Sequence, residues 1–418
     1  MRGMNRRGFL LATLGLGSAA AAWQFWPDEG LWNPCEPAPE RASRQEIVRE
    51  AWVGLDPANV WDMHVHLFGP GGEGSRVWVN PAMRSVFHPF ELIHTQFYAN
   101  AACMADGTDG ADAAYITRLR ALQSALAPGI RLLLLAMDYF HDESGTRVPS
   151  RTVFHVPNEY ASAVAEQHAG YFEWAASIHP YRADCVGALD WAVAHGARAV
   201  KWIPSAMGID PAAPACDRFY EALARRDVPL LTHGGYEHPL IGSGALQECN
   251  NPLALRRALE HGVRVVVAHC ASTGASIDTD RGGNGPEMEN FALFTRLMDD
   301  PRHDGKLFGD ISALTESSRV GPLLRYVMRR GDWHNRLLNG SDYPLPGYMP
   351  GVSVKHLIAE KFITGAQGQE LRTIRRYNPL LFDFVLKRHL TAGDIRFASS
   401  VFETAGFFHR HRTGSAGV

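Results

Sequence analysis

The chain has 418 residues and a mass of 46.1 kDa, with 46% hydrophobic residues, 20% charged residues and a formal net charge of −3. That is enough chain for a large buried core, and a barrel of alternating strands and helices can use such a length as one domain. The near-neutral charge provides no electrostatic footprint for nucleic acid or for an anionic membrane surface.

The first 22 residues stand apart from the rest. Asn5-Arg6-Arg7-Gly8-Phe9-Leu10 leads into an apolar stretch rich in Leu, Ala and Gly that ends in Ala19-Ala20-Ala21-Ala22. This is the layout of a charged region, an apolar region and a small-residue cleavage site. The arginine pair resembles a twin-arginine export signal, a route for folded proteins. The expectation is a periplasmic protein that engages the twin-arginine export machinery. It is membrane-anchored if the signal stays uncleaved, because Trp23, Phe25 and Trp26 extend the apolar run. Residues 23–50 read as a linker and N-terminal segment with a short helix over 45–53. Residues 51–390 read as one barrel, and 391–418 as a polar tail. The six cysteines include no Cys-x-x-Cys pair, which argues against a zinc ribbon or thioredoxin-like site; export permits disulfides without fixing which cysteines pair.

The first strand is predicted over 60–66. A long connection follows, broken by Phe68-Gly69-Pro70-Gly71-Gly72 and carrying helical spacing over 89–102 and 112–126. Its length predicts that it covers or shapes a site. A leucine-rich strand spans 131–139, a helix 157–168, a strand 172–179 and a helix 183–195. Strands then follow over 197–203, 228–233, 263–269, 307–311 and 336–342, with helices over 216–226, 252–261, 287–298 and 322–330 between them and a closing helix over 379–390. Eight alternations of strand and helix predict parallel strands joined by helical crossovers, closed into a (β/α)₈ TIM barrel with a long insertion after the first strand. An open doubly wound sheet has less support, because no Gly-x-Gly-x-x-Gly follows the first strand.

The chemistry gathers at strand ends. In Trp61-Asp62-Met63-His64-Val65-His66, alternation points His64 and His66 the same way, and two imidazoles on one face can share a metal ion. Two hydrogen-bonded core histidines would look the same, so the other strand ends decide. Lys201, His233, His269 and Asp342 each close an apolar run and project into the barrel mouth. Asp342 suits proton transfer to and from a metal-activated water, and Gly340 leaves room beneath it. Asp62 is expected one layer deeper on the same face, as a partner to a ligating histidine. His179 ends the third strand, and Arg151 and His155 lie in the second loop; all three are candidates to touch substrate. Tyr236, Glu237 and His238 follow the fifth strand and can shape the pocket. Trp61, Trp174 and Trp202 read as packing residues.

Taken together, His64-x-His66, Lys201, His233, His269-Cys270 and Gly340-Ser341-Asp342-Tyr343-Pro344 resemble the amidohydrolase superfamily, and within it the amidohydrolase-2 group of metal-dependent hydrolases, lactonases and decarboxylases. The resemblance runs from about residue 60 to 390. It implies that His64, His66, His233, His269 and Asp342 serve a divalent metal, zinc first. It implies one ion, or two if Lys201 is carboxylated as a bridge. Asp342, His269 and Lys201 become the catalytic residues, and Lys201 also a holder of an anionic substrate group. The expected activity is hydrolysis of an amide, ester or lactone bond of a small molecule. A non-oxidative decarboxylase and a non-catalytic periplasmic binding protein are the alternatives. Homo-oligomerisation is compatible with all three.

Overall fold

The computed structural model describes residues 29–39, 45–72, 74–104, 110–237 and 244–409, so the segment expected to be an export signal and His238 lie outside the described residues. Eight parallel strands form the barrel: β1 (Trp61–His66), β2 (Arg131–Leu135), β3 (Phe172–Ala176), β4 (Ala199–Trp202), β5 (Leu230–His233), β6 (Val265–Ala268), β7 (Leu307–Asp310) and β8 (Leu337–Leu338). Each pairs with the next in chain order. The seam between β8 and β1 is closed by backbone hydrogen bonds from Met63 N to Asn339 O (3.1 Å), Asp342 N to His64 O (2.8 Å) and His66 N to Tyr343 O (3.0 Å).

Alternation sorts the strand residues into two cores. Leu133, Leu135, Ala175, Ala199, Leu231 and Val266 fill the barrel, while their neighbours Leu132, Leu134, Val200, Leu230, Val265 and Val267 pack outward under the helices. Lys201 follows Ala199 by two residues and His233 follows Leu231 by two, so both continue the interior face up to the mouth. β1 is the exception. Trp61 and Met63 belong to the interior, yet Val65 belongs to the outer core, and the register with β2 shifts between Asp62 and Val65. A bulge of this kind changes the phase of a strand. It sends His64 and His66 inward and leaves Asp62 out of phase with them.

The connection from β1 to β2 carries α1 (Pro89–Ala101) and α2 (Ala111–Ser124), and its short strand Trp78–Val79 pairs antiparallel with Phe154–His155. Pro at the first turn starts α1. After β8 come α3 (Gly365–Tyr377), opened by a capping box between Thr364 and Gln367, and α4 (Pro379–His389). The sequence reading missed α3.

Two segments read as loosely attached are not. Residues 29–39 are fixed by a Cys35–Cys103 disulfide and by Asn33 N donating to Asn100 Oδ1 at 2.7 Å. In the tail, Ala405 and Phe408 are buried, Phe408 stacks on Trp61 with centroids 5.5 Å apart, and Thr404 Oγ1 donates to Trp61 O at 3.1 Å. Phe408 therefore joins the interior core at the end of the barrel where β1 begins.

Candidate metal centre

The mouth of the barrel opens into a cavity of about 160 Å³ that His64, His66, Lys201, His233, His269 and Asp342 all line. The structure thus brings together six of the strand-end residues singled out in the sequence; His179 is not among them. Asp342 is the hub. Its Oδ1 lies 3.0 Å from His66 Nε2 and 3.3 Å from His64 Nε2, and its Oδ2 lies 3.6 Å from His269 Nε2. Burial would push this carboxyl up, but the facing imidazoles, where they carry a proton, hold it well below the usual carboxylate range.

Local backbone sets these directions. Gly340 allows β1 to approach closely, since a Cβ there would meet His64 Cβ at 2.7 Å. Asp342 has φ 59°, and His269, Cys270 and Ala271 have φ of 54°, 52° and 49°. Left-handed backbone at non-glycine residues costs of order 1–3 kcal/mol each and gathers at functional sites. Here it swings His269 and Asp342 off their strands and over the barrel axis.

The outer nitrogens fix the tautomers. His64 Nδ1 sits 2.6 Å from Asp310 Oδ2, and an ionised carboxylate only accepts, so Nδ1 carries the proton. His269 Nδ1 donates to Ser312 O at 3.0 Å. Both rings therefore turn an unprotonated Nε2 towards Asp342. Burial pushes the His269 imidazole down to about 3, and burial with the Lys201 cation lowers His64. Lys201 Nζ donates to His64 Nε2 at 3.1 Å, and burial lowers its own pKa. His233 Nε2 lies 2.9 Å from Glu237 Oε2 but forms no aligned hydrogen bond among the described residues.

These donors fit a divalent metal. A tetrahedral site with ligand bonds of about 2.0–2.2 Å spaces its ligand atoms roughly 3.3–3.6 Å apart. The nitrogen–oxygen separations of 3.0 to 3.6 Å around Asp342 fall close to that spacing. The buried Nε2 of His233, which faces Glu237 Oε2 at 2.9 Å, supplies a further donor at the cavity. Asp310 stands behind His64, where an outer carboxylate orients a ligating imidazole.

Four placements correct the sequence reading. Asp62 accepts from the backbone N–H groups of Ser341 (2.8 Å) and His64 (3.2 Å), so it braces the seam and touches no ring. His179 is fully buried with Nε2 donating to Met207 O at 3.0 Å, away from the cavity. His155 stacks on Tyr139 with centroids 3.9 Å apart, facing a separate hollow with Asp138 and Arg182. Arg151 lies over the Phe140 ring at 3.9 Å in the outer loops. Each of the last three is occupied by loop packing, which competes with any role at the cavity.

Three contributors were missed. Asp310 ends β7, and the strand-end rule would have found it had that strand been ended one residue earlier. Ser312 bridges the two rings, with Oγ 2.9 Å from His269 Nδ1 and 3.2 Å from His64 Nδ1. Arg319, 8% exposed, lines the cavity with Nη1 on Ala313 O (3.2 Å) and on Glu316, while its Nε has no partner among the described residues. No motif in the sequence marks it. Of the residues after β5, Tyr236 and Glu237 do line the cavity, and the β1–β2 connection contributes Met83, Thr95 and Tyr98 to its wall.

A search of curated proteins finds no significant match. Among solved structures, a TIM-barrel protein from Bordetella bronchiseptica is 14% identical, covering 68% of this chain and 86% of its own, at a TM-score of 0.43. The 4-oxalomesaconate hydratase of Rhodopseudomonas palustris is 14% identical, with 77% and 96% covered and a TM-score of 0.40. The IDCase of Metarhizium anisopliae is 12% identical, with 78% and 98% covered and a TM-score of 0.40. The sequence pattern of the amidohydrolase family spans residues 61–380, which takes in every strand of the barrel and every side chain around Asp342, and the chain belongs to that family.

Proposed function

We propose that this amidohydrolase is a metal-dependent hydrolase that cleaves an amide, ester or lactone bond of a small molecule bearing an anionic group. The observation that carries the reading is the convergence of three imidazole Nε2 atoms on Asp342 at the floor of one cavity. His64, His66 and Asp342 would hold the ion, with His233 and His269 on the same cavity completing the donor set. A bound divalent ion such as zinc supplies Lewis acidity and makes a water easier to deprotonate near neutral pH.

The chain's own residues supply the rest. Asp342 takes the proton of the attacking water and returns it to the leaving group. His269, kept neutral by burial, offers Nε2 beside Asp342 Oδ2 and orients that water. Lys201 and the Nε edge of Arg319 hold the anionic part of the substrate and steady charge that develops on the carbonyl oxygen. Phe68, Val79, Val153 and Phe154 keep the cavity wall apolar and limit water.

The test is turnover of a panel of lactones, esters, amides and aryl carboxylates by metal-loaded protein. Hydrolysis without carbon dioxide, titrating one equivalent of acid from a lactone or ester or releasing amine from an amide, supports the reading. Release of carbon dioxide from aryl carboxylates without any hydrolysis overturns it in favour of a decarboxylase.

We place this activity in the periplasm after twin-arginine export. Arg6-Arg7 before the apolar stretch supports this, and the Cys35–Cys103 disulfide supports an oxidising compartment. Changing Arg6→Lys together with Arg7→Lys should leave the protein in the cytoplasm; undiminished export would contradict the route.

A further inference from the structure

Most large apolar side chains of the chain are inside, but one run is not. Val86, Phe87, Phe90 and Ile93 are 74%, 89%, 79% and 48% exposed. They occupy the turn into α1 and its first half. Phe90, Ile93 and Phe97 are spaced i, i+3, i+7, which is one face of a helix. At the far end of that face Trp32, itself 49% exposed, stacks on Phe97 with centroids 4.7 Å apart. Scattered apolar surface residues need no explanation, whereas a continuous stripe marks a contact.

The upstream sequence indicates what covers it. Residues 8–26 run for 19 positions without Asp, Glu, Lys or Arg. About 17–25 apolar residues suffice for a helix to cross a bilayer. Arg6-Arg7 precede the run and Asp28-Glu29 follow it, the order expected when the basic end stays in the cytoplasm. Trp23, Phe25 and Trp26 stand at its outer end, where aromatic side chains favour the membrane interface. The point at which the chain joins the folded domain is fixed at the end of α1 by the Cys35–Cys103 disulfide and by Asn33 on Asn100. From Trp26 to Trp32 is six residues, roughly 20 Å at full extension. A chain anchored through residues 8–26 would therefore hold the stripe close to the bilayer surface at a high effective concentration.

We infer that Val86, Phe87, Phe90, Ile93 and Trp32 seat in the interfacial layer of a phospholipid bilayer to which residues 8–26 remain as an anchor. The neighbouring face of α1 carries Thr95 and Tyr98 into the cavity wall, so this seat puts the cavity beside the membrane. A second copy of the chain is the competing occupant. The covalent tether favours the bilayer.

The test uses the full chain with Cys249→Ser, because the other free cysteines, Cys185, Cys216 and Cys270, are buried. Phe90→Cys or Ile93→Cys is labelled with a nitrobenzoxadiazole dye, and Val53→Cys, at a site 70% exposed and preceding β1, is the control. Each protein is reconstituted into vesicles of phosphatidylcholine and phosphatidylglycerol, with and without brominated acyl chains. Brominated lipid should remove most of the emission at 90 and 93 and leave that at 53 unchanged. Equal emission at all three sites would overturn the inference. So would a dimer in lipid-free detergent that shields 90 and 93 to the same extent, or a native soluble form beginning near residue 23.

Discussion

Two clusters of histidines lie at or beyond the strand ends of this barrel, and only one is built for chemistry. Around Asp342, His64 and His269 spend Nδ1 on Asp310 and Ser312, and Nε2 is left facing a shared centre. In the loops after β2 and β3, the ring nitrogens that make contacts are spent locally. His179 Nε2 donates to Met207 O, His141 Nδ1 to Tyr139 O at 3.0 Å, and His155 stacks on Tyr139. The carboxylate there, Asp138, is saturated by the backbone N–H groups of His179 (2.9 Å) and Tyr139 (2.8 Å) and by Arg182 (2.8 Å). Both clusters hold several histidines and a carboxylate. The difference is whether the donors that remain converge.

Substitutions can break that contrast. Asp342→Asn should lower kcat by about 10²–10⁴-fold with the fold intact, read by steady-state kinetics beside circular dichroism. Asp310→Asn should weaken metal binding by about 10–100-fold, because it removes the group that fixes the His64 tautomer; competition with a chelator measures it. Arg319→Gln should raise KM about tenfold for anionic substrates and leave neutral ones unchanged. His179→Ala should cost roughly 1–3 kcal/mol of stability by unpairing Met207 O in the interior, with kcat scarcely altered. If His179→Ala removed activity at full stability, the two clusters would not differ as described.

The smallest expected effect is on pH. Burial pushes His179 down to about 3 and His155 down to about 4, both below the ordinary value of about 6.5. The unfolded chain then binds more protons than the folded one between those limits, so this stability is complete above 6.5 and is lost as pH falls towards 4 and then 3. Asp62 and Asp383, pushed up by burial to about 7 and about 6, act with the opposite sign, losing stability as pH rises through those values. The measurement is therefore a difference: His179→Gln should show a shallower loss of denaturation midpoint from pH 7 to pH 4 than the parent chain.

The barrel was legible because all eight strands are short apolar runs between turn residues, and all eight form. Strand ends were less legible. The second run stays apolar to Met137 although β2 stops at Leu135, and β8 ends at Leu338 where Gly340 and the turned backbone of Asp342 leave the ladder. Alternation found the His64–His66 pair but misplaced Asp62, because a bulge has no mark in the pattern. Ser312 and Arg319 reach the site from the loop after β7, where side-chain direction depends on tertiary packing and no period applies. α3 escaped notice because its polar sequence hides Arg375, a fully buried arginine whose guanidinium donates to the carbonyls of Pro346 (2.8 Å), Val352 (2.9 Å) and Tyr348 (2.7 Å).

The most direct test of the central claim is metal content per chain in three proteins: the parent, the pair His64→Ala and His66→Ala, and the pair His155→Ala and His179→Ala. The account predicts bound zinc or a similar divalent ion in the parent and in the loop pair, and its loss in the strand pair. Metal retained without His64 and His66, or lost without His155 and His179, would contradict it.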